Sequence, residues 1–141
     1  KRIFSTILMF CLLFSFCGSA LAADAEVFSS PTLSRYTAQL SRGSSSGKIT
    51  ISYRVGASAS TTITSNGVSS IKIYKANGTY VTTITGTTSN GLVGRNASSH
   101  SGTYTYSGVS GTSYYAKVTM FATAGGINDS GTVKTNTVTA P

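Results

Sequence analysis

Histidine occurs once in this chain of 141 residues, in the stretch GLVGRNASSHSG at positions 91 to 102. His100 is therefore the sole imidazole that could serve as a general base. Ser99 and Ser101 flank it, Arg95 precedes it, and Asp129 is the one acid outside the N-terminal tail. A serine nucleophile needs a base within hydrogen-bond reach and a third group to orient that base. Neighbouring side chains of an extended chain point to opposite faces, so neither adjoining serine meets the ring. No strand-to-helix nucleophile elbow is read in the chain. Glycoside hydrolysis needs two facing carboxylates, and the acids are only Asp24, Glu26 and Asp129. Calcium and zinc sites want more ligands than these. The stretch reads as a connection, and neither an enzyme activity nor a cofactor is expected.

The chain's beginning reads as an address. Lys1 and Arg2 precede an uncharged run from Ile3 to Phe16, and small residues lead to Ala20-Leu21-Ala22. A basic start, a short apolar core and an A-x-A site describe a secretory signal peptide over residues 1–22. The run is shorter than the roughly 20 residues that span a bilayer. Cleavage removes both cysteines, Cys11 and Cys17, and leaves about 119 residues without a thiol. The mature chain therefore has no disulfide, although export would permit one. A staple-free secreted domain of this size fits a bacterial exoprotein. Loss of Lys1 and Arg2 leaves nine basic residues against three acids, a net charge of +6. They are scattered and form no basic arm, so no sequence-specific nucleic-acid motif is present. A diffuse positive field favours anionic cell-wall polymers or lipid surfaces.

Beyond an N-terminal extension at 23–34, the pattern over 35–141 has period two. Tyr36-Thr-Ala38-Gln-Leu40, Ile49-Thr-Ile51-Ser-Tyr53-Arg-Val55 and Ser70-Ile71-Lys72-Ile73-Tyr74 alternate. Asn77-Gly78 then gives a strong hairpin signal. The runs 102–108, 114–124 and 132–140 follow, separated by Gly/Ser/Asn punctuation such as Ala124-Gly-Gly126. Alternating threonines, Thr83-Ile-Thr85 and Thr135-Asn-Thr137, read as solvated strand faces. About seven short strands and no helical spacing predict an all-β antiparallel sandwich.

One segment is more specific. Gly111-Thr112-Ser-Tyr114-Tyr-Ala116-Lys-Val118-Thr-Met120-Phe-Ala122 resembles the sixth strand of fibronectin type III domains, of the immunoglobulin-like class. The resemblance implies that Tyr114 is a corner tyrosine, its hydroxyl bonded to nearby backbone. The tryptophan that usually marks the second strand of that family is absent, and Tyr53 stands in its place. With segments such as YKANGTYV and NASSHSG, the whole chain is also similar to small secreted bacterial proteins of a domain-of-unknown-function family. That likeness implies a fold and no activity.

The pattern also assigns faces. A two-residue turn at Asn77-Gly78 sets Ile71 opposite Ile84 and Ile73 opposite Thr82, with Tyr80 opposite Lys75, on the core side. It sets Lys72 against Thr83 and Tyr74 against Val81 on the outer side. In the run from Tyr114, alternation sends Tyr114, Ala116, Val118, Met120 and Ala122 inward and Tyr115, Lys117, Thr119 and Phe121 outward. The outer face is then expected to gather Tyr74, Val81, Tyr115 and Phe121, flanked by Lys72 and Lys117. The other sheet's exposed side reads Lys48, Thr50, Ser52, Arg54, polar throughout. Exposed aromatics beside cations suit an anionic wall polymer, a protein or a glycan. A secreted, non-enzymatic binding module is the expectation. The alternatives are a structural or assembly subunit, in which strands pair between copies, and a secreted toxin-like protein.

Overall fold

The computed structural model describes residues 32–141; the leader at 1–22 and residues 23–31 of the extension lie outside the described residues. β1 (Leu33–Arg42) and β2 (Lys48–Ala57) form a hairpin, and β6 (Ser99–Ser107) pairs with the other side of β2. The second sheet runs β4 (Tyr80–Thr85), β3 (Ile63–Lys75), β7 (Ser113–Ala124), β8 (Ile127–Lys134). Beside the first half of β3 lies β5 (Val93–Arg95), and beside the start of β7 lies β9 (Val138–Thr139). Every pairing is antiparallel, and no described residue is helical. The chain is an all-β antiparallel sandwich.

Period two becomes the core directly. β7 alternates along its length, burying Tyr114, Ala116, Val118, Met120, Ala122 and Ala124. Ile49, Ile51, Tyr53 and Val55 of β2 meet Val68, Ile71 and Ile73 of β3 across the layer. Each aliphatic side chain so buried contributes about 1.5 to 3 kcal/mol relative to exposure, which is how the domain closes without a disulfide.

Three details differ from the sequence reading. The described residues form nine strands, because β5 and β9 span three and two residues, too few for an alternation to register. β1 opens at Leu33, ahead of residue 35, and a bulge between Leu33 and Arg35 lets Leu33 and Tyr36 both enter the core. That extra residue breaks the period that would have marked the strand's start. Thr135 is buried, not solvated: its Oγ1 accepts from the Ala116 N–H at 2.9 Å and donates to the Asn136 carbonyl at 2.9 Å.

The Asn77-Gly78 hairpin also turns differently. A two-residue turn of the expected kind needs positive φ at both central positions, but of the pair only Gly78 has it, at 89°. Gly78 N–H donates to the Lys75 carbonyl at 2.9 Å, and Lys75 N–H to the Thr79 carbonyl at 2.9 Å. The loop is thus a three-residue turn closed by a left-handed glycine, with one extra residue in β4. Register holds from Ser70↔Thr85 to Ile73↔Thr82, then shifts so that Tyr74 pairs with Tyr80. The two-residue geometry occurs instead at Gly125-Gly126, where φ is 57° and 81° and Ala124 pairs with Ile127.

Tyr114 is buried at the start of β7, and its hydroxyl accepts from the Val109 N–H at 2.9 Å. Tyr114→Phe keeps the ring against Tyr106, whose centroid is 6.0 Å away, but leaves that N–H unpaired. A loss of about 1 to 3 kcal/mol is expected from urea unfolding. At the outward-facing neighbour, Tyr115→Phe should cost under about 0.5 kcal/mol. Equal losses would contradict the opposite orientation of the two rings.

Candidate functional site

The outer face of the β4-β3-β7-β8 sheet carries two rows of side chains that cross the strands. In one, Lys72 of β3 sits opposite Lys117 of β7, and Lys117 opposite Lys134 of β8. Neighbouring strands lie about 4.8 Å apart, so three exposed lysines stand side by side. In the other row Tyr80, Tyr74 and Tyr115 come from β4, β3 and β7. Tyr74 and Tyr115 stack at 5.2 Å with 9° between their planes, and Tyr80 meets Tyr74 edge-on at 5.8 Å. Lys117 Nζ lies 5.5 Å from the Tyr74 ring centre, and Lys134 Nζ 4.7 Å from that of Tyr115.

Electrostatics make this arrangement costly. Like charges directly opposite across a ladder repel, and cation–π contacts at an exposed site return only about 0.5 to 1 kcal/mol. Among the described residues the one acidic side chain is Asp129, five residues from Lys134 along β8, roughly 17 Å of strand. Its carboxylate accepts from the Thr32 N–H at 2.8 Å. Among the described residues the lysine row therefore has its rings for support and no nearby carboxylate. Because the ammoniums already occupy ring faces, the tyrosines serve better to hold the lysines than to receive a sugar.

The structure brings together Lys72, Tyr74, Tyr115 and Lys117 as the sequence pattern proposed, and separates two others. Val81 is the extra residue of the bulge and packs against the core. Phe121 faces outward but pairs with Gly67 and Ser130, six residues beyond Tyr115 and roughly 20 Å along the strand. Two members were missed. Tyr80 was assigned to the core side, whereas the shifted register leaves it 56% exposed, its hydroxyl 2.9 Å from that of Thr83. Lys134 was legible: counting outward from a two-residue turn at Gly125-Gly126 sets it opposite Lys117.

The histidine belongs to a different place. The segment 91–102 is no plain connection, since it contains β5 and the start of β6. His100 points inward from β6, its Nε2 2.8 Å from the Gly91 carbonyl and 3.2 Å from the Tyr53 hydroxyl. Tyr53 donates to the same carbonyl at 2.8 Å, and desolvation by burial raises its phenol above the ordinary value. Ser99 and Ser101 lie on the opposite, exposed side of the strand. The run Gly43-Ser44-Ser45-Ser46-Gly47 has Gly-x-Ser-x-Gly spacing, but it is the hairpin between β1 and β2, with no helix to follow. Among the described residues no three His, Cys, Asp or Glu side chains converge as metal ligands.

No known protein family, no curated protein and no solved structure matches the chain.

Proposed function

We propose that this protein is a secreted, non-catalytic binding module that holds an anionic cell-wall polymer against the outer face of its larger sheet. The observation that carries this reading is the row Lys72, Lys117, Lys134 on three adjacent strands, with no acidic side chain beside it among the described residues. A polymer with repeated phosphates relieves the repulsion within the row and releases its own counterions on binding. The net charge of +6 after leader removal adds a long-range attraction of the same sign. The strand order β1-β2-β6 over β4-β3-β7-β8, with Tyr114 bonded at its corner, supports a fibronectin type III-like version of the sandwich. Such a frame presents one broad sheet face as a rigid platform.

The experiment is calorimetric titration of residues 23–141 with soluble polyphosphate and, in parallel, with a neutral dextran. Binding to polyphosphate that weakens steeply with salt is expected, and none to dextran. Equal affinity for both polymers, or binding insensitive to salt, would overturn the reading.

A further inference from the structure

Each sheet edge offers backbone groups to any strand that comes alongside, and folded proteins usually block such edges. Three edges here are blocked. On β1, Asn136 clamps Leu40, accepting its N–H at 2.9 Å and donating to its carbonyl at 3.0 Å, and the strand carries Arg35, Arg42 and a bulge. β8 carries Asp129 and Lys134. β4 is six residues long, bulged, and capped where Asn90 Nδ2 donates to the Thr85 carbonyl at 2.8 Å.

β6 has none of these devices. Its nine residues, SHSGTYTYS, include no lysine, arginine, acid or proline, and their register with β2 runs without a bulge. Ala57 N–H donates to the Ser98 carbonyl and Gly108 N–H to the Gly47 carbonyl, which fixes the parity of the ladder. Even-numbered residues turn their backbone groups toward β2, so Ser99, Ser101, Thr103, Thr105 and Ser107 turn theirs to the open edge. Among the described residues these groups have no partner.

We infer that β6 is a self-association edge, and that its occupant is β6 of a second copy of this chain, running antiparallel about a two-fold axis at Thr103. That axis sets Ser99 opposite Ser107 of the second copy, Ser101 opposite Thr105, and Thr103 opposite itself. Residues that face each other with both backbone groups exchange two hydrogen bonds, so the five outward-turned residues of each copy make about ten in all. The hydroxyl side chains then pair across the seam, a favourable combination, and no charge meets a like charge there. Half-buried Tyr104 and Tyr106, on the inward side of β6, gain cover from the added strand. A patch that complements itself about a two-fold axis gives a closed dimer. The inference is independent of the polymer-binding reading, because the lysine row lies on the other sheet.

Sedimentation equilibrium of residues 23–141 over a concentration series tests it, with Thr103→Pro and Thr103→Lys beside the wild type. Among the described residues the Thr103 N–H makes no bond, so proline there removes a donor that only the second copy uses; lysine places two like charges across the axis. Wild type should approach twice the chain mass, and both variants should remain monomers at the same concentrations. Salt should strengthen the dimer by screening the copies' positive charge, the reverse of its effect on polyphosphate binding. In hydrogen exchange, the Ser101, Thr103 and Thr105 amides should gain protection as concentration rises. A wild type that stays monomeric, a dimer that survives both substitutions, or exchange at those amides that ignores concentration would overturn the assignment. Should Thr103→Pro fail to fold, Thr103→Lys decides alone.

Discussion

Gly67→Ala is expected to lower the melting temperature more than any other single substitution considered. Gly67 sits in β3 between Phe121 of β7 and Val93 of β5, with φ at 144°, a region essentially closed to residues with a Cβ. An added Cβ there would run into the Leu92 carbonyl oxygen and lie 2.9 Å from Val93 Cα. The same carbonyl accepts the Val68 N–H at 2.8 Å, so relief by moving it breaks the link that seats β5. Backbone strain and overpacking together cost about 2 to 6 kcal/mol, against a total stability of roughly 5 to 15. Thermal unfolding followed by circular dichroism reads the result. A melting temperature within a few degrees of wild type would mean that β5 does not pack as described.

Replacing the lysine row is expected to separate binding from folding. In the triple variant Lys72→Gln, Lys117→Gln, Lys134→Gln, each lost charge removes about 1 kcal/mol of attraction to an anionic surface, so polyphosphate affinity should fall about a hundredfold. The slope of log affinity against log salt should flatten by about two, the contribution of three phosphate contacts to a single-stranded polyanion. Stability should hold, since the substitutions also remove a like-charge repulsion across two ladders. Tyr74→Ser with Tyr115→Ser should weaken binding less, by freeing the ammoniums that the rings position. If the triple variant binds as wild type does, the ligand does not lie on this face.

How far the sequence carried the fold depended on what each residue's neighbours could decide. Alternation alone fixed the inward set of β7, because a strand has two faces and the apolar residues occupy one. Whether Asn77-Gly78 closes a two- or a three-residue loop is a matter of one dihedral angle, and that angle moved Val81 to the core and Tyr80 to the surface. Phe121 was set correctly outward and incorrectly near Tyr115, since parity reports a face and carries no distance. His100 looked like part of a connection because glycines and serines around it mask a strand whose exposed side is all hydroxyl.

The clamp on β1 has a consequence for the order in which the molecule can be completed. Leu40 is held by a side chain 96 residues further on, and Thr32 by one 97 residues further on. A chain emerging from the ribosome at roughly 5 to 20 residues per second thus produces its first strand several seconds before the groups that finish it. During that interval β1 and β2 have little to close against, and non-local pairings of this kind form slowly. β1 thus gains its two side-chain anchors only after Asp129 and Asn136 have been made, which places the completion of the first sheet's edge after the synthesis of β8.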